Sequence, residues 1–140
     1  MATMNKVNIF VEDLYKATHD FTPSTGHTFK VAFHAATNAP TASSTVLSGL
    51  TQATTNADSV SLTVSTCSQT GGTLTMLWAD KTVTATSGGI GPFRYVSIYN
   101  DTTTVKTDPV VCYYDYGSEI TIAVGETFAF DWTTSSQTLT

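Results

Sequence analysis

The sequence predicts a mainly β protein: an antiparallel β-sandwich of jelly-roll or immunoglobulin-like type, with about eight short strands and an N-terminal amphipathic helix. Three observations carry that expectation. Beyond Gly26, apolar residues alternate with hydroxyl residues in stretch after stretch, the period of a strand with one buried face. Turn chemistry built from Gly, Pro, Asn and Asp interrupts these stretches about every 8–12 residues. Thr dominates the composition: 42 of the 140 residues are Ser or Thr, and 29 of those are Thr. A β-branched carbon fits the pleated sheet, and the hydroxyl keeps the outer face wet.

The helix comes first in the chain. Over residues 7–17 the apolar side chains Val7, Phe10, Val11, Leu14 and Ala17 recur three and four apart, one stripe of a helical period. Asn5 offers an N-cap, and Glu12, Asp13 and Lys16 fall on the opposite face, so a helix is expected over about residues 5–18. Thr22-Pro23-Ser24-Thr25-Gly26 closes it with turn chemistry. The stripe packs either on the chain's own sheets or on a neighbour, which makes Phe10 and Leu14 candidate interface residues.

The sandwich is expected over about residues 27–132. HTFKVAFHA alternates, with Phe29, Val31 and Phe33 on one face and Lys30, Ala32 and His34 on the other. Residues 37–57 are small and polar and read as an ordered loop with one helical turn. SVSLTVSTC alternates again, and Gly71-Gly72 marks the hairpin turn that leads into TLTMLWAD. KTVTATS reads as a strand ending at Gly88-Gly89, and the run through Gly91-Pro92 as a turn. PFRYVSIYN is apolar on both faces and so reads as a central strand. VVCYYDYG, EITIAV and ETFAFDW complete the strands, and the polar tail 133–140 is expected to fray or to run along a neighbour. No repeat or linker divides residues 1–140, so one domain is expected.

Charge narrows the function classes. Eleven acids against six bases give a net charge of −5, which opposes a grip on nucleic-acid phosphates. No stretch approaches the roughly 18 consecutive apolar residues of a membrane span. The N-terminal stretch has acids within its apolar run and no small-residue cleavage site after it, so no secretory signal is read there and folding inside a cell is expected. Cys67 and Cys112 are too few for a stapled framework. Spacing does not decide whether they pair; as separate thiols they serve as small apolar side chains.

Reactive constellations are thin. His19, His27 and His34 show no metal-ligand spacing, and each reads as a satisfied or solvated histidine. No serine sits in a nucleophile elbow. Asp101, Asp108, Asp115 and Glu119 are the nearest approach to an acidic cluster, but Asp101 and Asp108 lie in ordinary turn chemistry. No catalytic residue, metal or cofactor is therefore expected. Tyr113, Tyr114, Tyr116, Trp78 and Trp132 alternate as core and interface residues do, rather than forming a stacking platform. Arg94 among aromatics calls for a carboxylate or a ring beside it. Arg94, Tyr113, Tyr116 and Trp132 join Phe10 and Leu14 as candidate interface residues.

Two blocks add a resemblance. The start, MNKVNIFVEDLYKATH, and the block GGIGPFRYVSIYNDTTTVKTDPVVCYYDYGSEITIAVGETFAFDW cover nearly half the chain. In the second block it rests on Gly88-Gly89, Gly91-Pro92-Phe93-Arg94-Tyr95, Tyr99-Asn100-Asp101-Thr102, Asp108-Pro109, Asp115-Tyr116-Gly117-Ser118 and Gly125-Glu126-Thr127-Phe128. In these residues the chain resembles a family of small virion structural proteins of tailed bacteriophages; residues 37–72 match only loosely. The resemblance implies a non-enzymatic role, foremost as a head decoration or cement protein on the outer capsid lattice. A tail, neck or fibre-associated role in host-surface or glycan binding is the alternative. The implied partners are the major capsid protein or other virion proteins and further copies of the chain, as a trimer or dimer. The implied location is the virion, assembled in the cytoplasm of the bacterial host.

Overall fold

The structure, a computed structural model, describes residues 4–102, 105–132 and 137–139, the last three by backbone alone. It is mainly β. A seven-stranded antiparallel sheet and a three-stranded sheet enclose one apolar core, with a single short α-helix. The elements in order are β1 (Met4–Lys6), α1 (Ile9–Tyr15), β2 (Phe29–His34), β3 (Thr55–Ala57), β4 (Ser61–Leu62), β5 (Val64–Thr70), β6 (Thr73–Trp78), β7 (Lys81–Asn100), β8 (Val110–Ile122), β9 (Thr127–Phe130) and β10 (Gln137–Leu139). The large sheet runs β1-β8-β7-β2-β4, with β3 and β9 also paired to β7; the small sheet runs β10-β6-β5.

The helix is shorter than its apolar stripe suggests. Met4–Lys6 pairs antiparallel with β8, Asn5 opposite Tyr113, so Asn5 is a strand residue and Asn8 takes the N-cap position. Pairing with β8 engages backbone groups that the first turn of a helix would leave without an intrahelical partner. The buried stripe is also rotated. Val7 and Phe10 are buried, yet Val11 and Ala17 are exposed and Asp13 is buried in their place. The rotation follows from an ion pair: Lys106 donates to both Asp13 oxygens at 2.6 and 2.8 Å.

Two of the expected turns are strand interior. β7 is one continuous 20-residue strand that passes through Gly88-Gly89-Ile90-Gly91-Pro92. It pairs successively with β9 (Lys81 opposite Phe130), with β3 (Ala57 opposite Ala85) and with β8 and β2. The glycines are what let it bend without breaking. Gly89 and Gly91 have φ of 73° and 102°. A Cβ there would stand 2.7 Å from the carbonyl oxygens of Ile122 and Ile120 respectively, so only glycine admits β8 this closely. β8 likewise merges the expected strands VVCYYDYG and EITIAV into one, through Gly117.

Residues 35–54 leave β2, form two 3₁₀ turns (Ala36–Asn38 and Leu47–Gly49) and cover the outer side of the large sheet, where Ala32, Leu47 and Tyr99 make a small second cluster. This is why both faces of β2 are buried apart from Lys30. The main core is aromatic. Phe21 and Phe29 stack at 4.6 Å, and Trp78 from the small sheet meets Phe29 edge-on at 5.1 Å. At the other end Phe130 stacks on Trp132 at 5.2 Å and Phe33 meets Phe93 at 4.6 Å. Cys67 and Cys112 form no disulfide with each other. Within the tail, Gln137–Leu139 runs along the chain's own β6; positions 133–136 and 140 lie outside the described residues. No described helix is long and apolar enough to cross a membrane.

Candidate interaction surface

The structure separates the six candidate interface residues. Phe10 and Trp132 lie in the chain's own core at 4% exposure each, Phe10 against His19 and Phe21, Trp132 against Phe130 and Tyr114. Leu14 and Tyr113 are half-buried and pack against that core. Arg94 and Tyr116 reach the surface. They are brought together by register: Tyr95 of β7 faces Asp115 of β8, which sets the Arg94 side chain beside that carboxylate.

The pair is well ordered. Arg94 Nε and Nη2 donate to the two Asp115 oxygens at 2.8 Å each, and the Gly117 N–H donates to Asp115 Oδ1 at 2.8 Å. The guanidinium holds the Asp115 carboxyl below the usual carboxylate range, and the carboxylate raises the Arg94 value in turn. Arg94 Cζ also stands 5.2 Å from the Tyr95 ring centre. Next along β8, Tyr116 is 51% exposed and leans edge-on against Phe128 at 5.9 Å. The carboxylate of a fork-shaped ion pair, a fixed aromatic and the exposed Ser118 thus lie close together in sequence along the middle of β8. Such a surface can accept hydrogen bonds and apolar contact from another macromolecule without rearranging. A second exposed apolar group is on α1. Val11 and Tyr15, one turn apart, are 40% and 90% exposed; Val105, next to the Lys106 that reaches Asp13, is 70% exposed.

Two buried polar clusters were not foreseeable from spacing. His34 is fully buried; its Nδ1 meets the Thr51 carbonyl at 2.9 Å and its Nε2 meets Ser97 Oγ at 2.8 Å. A carbonyl only accepts, so Nδ1 carries the proton and Ser97 donates to Nε2. That is the hydrogen-bond order of a serine–histidine dyad, but Ser97 is itself fully buried. Burial lowers the His34 pKa, favouring the neutral ring that this order needs. The second cluster ties α1 to the end of β7. Asn100 Nδ2 lies 3.2 Å from the Thr18 carbonyl, 3.2 Å from His19 Nδ1 and 2.9 Å from His27 Nδ1. The amide brings two N–H donors to these three acceptors, while His19 Nε2 makes no hydrogen bond and stands 3.9 Å from Asp13 Oδ2. Burial pushes the His19 pKa down to about 4.

The acids are dispersed. Asp101 pairs with Lys30 at 2.7 Å, Asp115 with Arg94, and Glu119 accepts from the Ala36 N–H at 2.8 Å; Asp108 takes a positive φ of 46° in the turn before β8. Among the described residues no three His, Cys, Asp or Glu side chains converge as a metal site would require. A shallow depression over residues 39–50 is lined by Ala39, Thr45, Val46 and Leu50 and holds no titratable side chain. Comparison of the chain with models of known families, with curated proteins and with solved structures finds no match.

Proposed function

We propose that this chain is a non-enzymatic structural protein of a tailed-bacteriophage virion, foremost a head decoration or cement protein on the outer capsid lattice. The observation that carries the reading is the chemistry of the surface. The exposed strand positions are largely hydroxyl: Ser61, Thr63, Ser65, Ser68 and Thr70 in one segment, Thr82, Thr86 and Ser87 in β7, and Ser118, Thr121 and Thr127 beyond it. Such a surface meets another protein with little charge to desolvate. Repetition over a lattice then lets weak single contacts act together. The resemblance in residues 88–132 supports the same reading.

A second reading, a tail- or fibre-associated protein that binds host glycans, draws on one feature: the exposed ring of Tyr116 held by Phe128, since an aromatic face stacks on a sugar ring. Deleting the gene from the phage that encodes it separates the two. Loss of a decoration protein gives particles with normal tails and normal adsorption whose heads release DNA on warming. Loss of a host-binding protein gives stable heads that adsorb poorly, and that result removes the decoration reading.

A further inference from the structure

We propose that two copies of this chain associate through the free edge of β5, joining their small sheets into one continuous antiparallel sheet. β5 pairs with β6 alone among the described strands. In a chain of net charge −5, no Asp, Glu, Lys, Arg or His occurs on β5, β6 or β10, nor anywhere from residue 59 to residue 79. The other edges are blunted. β1, β3 and β10 have three residues, and β1 ends on Lys6; β4 has two; β9 has four and lies between Glu126 and Asp131; the stretch of β8 that β1 does not cover, residues 115–122, carries Asp115 and Glu119. Shortness and charge are the usual means by which an edge is kept from pairing. β5 has seven residues, no proline, and a single irregularity between Val64 and Thr66 that leaves residues 66–70 regular.

Electrostatics selects a second copy as the occupant. Two acidic chains repel over most of their surfaces, and this sheet is where they can meet without opposing like charges. The hairpin geometry then says which backbone groups face outward. Gly71 and Gly72 have φ of 58° and 86°, the two-residue turn that makes Thr70 and Thr73 a hydrogen-bonded pair. Alternation directs the N–H and C=O of Thr70 and Ser68 toward β6 and those of Gln69 and Cys67 outward. A twofold axis through Ser68, the midpoint of the regular residues 66–70 and so the axis that pairs most of them, sets Cys67 opposite Gln69 of the second copy and Gln69 opposite its Cys67. This contact is self-complementary and closes at two chains. It deepens the assembly role proposed above by naming one contact, and the two can fail separately.

The axis sets Ser68 directly opposite its counterpart, with Cα atoms about 4.5 Å apart, inside the range of roughly 4.4–6.8 Å that a disulfide spans. Ser68 is exposed, so its substitution leaves the fold intact. Analytical ultracentrifugation of the full chain is expected to show a dimer, twice 14.9 kDa. Ser68→Asp, which opposes two carboxylates, is expected to weaken association about tenfold or more with an unchanged circular dichroism spectrum. In a Cys67→Ser background, Ser68→Cys is expected to cross-link on mild oxidation, whereas Ser118→Cys in the same background gives no cross-link. A wild-type chain that sediments as a monomer at every micromolar concentration overturns the proposal. So does an oligomer that ignores Ser68→Asp and forms no Ser68→Cys cross-link; that outcome leaves the virion reading standing and removes only the β5 contact.

Discussion

Acid sensitivity offers a quantitative test of the cluster that pins α1 to β7. His19 is 8% exposed, packed between Phe10, Phe21 and Phe29, with Asp13, Lys106, His27 and Asn100 as its polar neighbours. Burial lowers its pKa from 6.5 to about 4, although Asp13 acts in the opposite sense. The unfolded chain therefore binds the proton first as pH falls. The contribution of a neutral His19 is complete above pH 6.5, is lost progressively below it, and is fully lost below pH 4. At about 1.4 kcal/mol per pH unit the whole window is worth about 3 kcal/mol, less than half of it gone by pH 5.5 and most of it by pH 4.5. The assay is urea denaturation of the wild type and of His19→Phe at pH 7.5, 5.5 and 4.5. Carboxylates remote from His19 contribute equally in both proteins, so the difference between them reports the imidazole in its surroundings. His19→Phe is expected to be less stable at neutral pH, where it lacks the ring nitrogen facing Asn100, and to gain on the wild type by about 2 kcal/mol by pH 4.5. A difference that does not change with pH refutes the burial of a neutral imidazole at this position.

Three further outcomes follow from the geometry. Gly89→Ala and Gly91→Ala are each expected to cost about 3 kcal/mol in urea midpoint analysis, from left-handed strain and the 2.7 Å approach to β8, whereas Gly49→Ala, with open space around it, stays within about 0.5 kcal/mol. Lys106→Ala leaves the Asp13 carboxylate buried without its cation and is expected to cost about 2–3 kcal/mol, with Asp13→Ala in the same chain recovering part of the loss in a double-mutant cycle. A fluorophosphonate probe is expected to leave Ser97 unlabelled in the native protein, because the hydroxyl is fully buried beside His34; labelling there, detected by mass spectrometry, would reopen an acyl-transfer reading.

Strand content was legible because the alternation of Phe29, Val31 and Phe33, or of Leu74, Met76 and Trp78, is carried by single residues that face one core. The hairpin at Gly71-Gly72 was legible for the same local reason. What escaped the sequence is non-local. Gly88-Gly89 and Gly91 carry the same turn chemistry as Gly71-Gly72, and only the approach of β8 shows that they are strand interior. Asp13 looks like a solvent-facing helix residue until Lys106, 93 positions later, closes over it. Trp132 and Phe10 read equally well as core or interface, because an aromatic at a buried spacing carries no label for which chain buries it. Arg94 was the clearer case. A cation among rings calls for a carboxylate or a ring beside it, and Arg94 has both, Asp115 on the adjacent strand at 2.8 Å and the Tyr95 ring at 5.2 Å.

The assembly role itself is tested most directly by a cryo-EM reconstruction of intact particles of the phage that encodes this chain. The account predicts density for the β-sandwich at symmetry-related positions over the outer head, with hydroxyl-rich strand faces against the capsid lattice. Density confined to the tail, the neck or a single vertex, or particles from which the chain is absent, would contradict it.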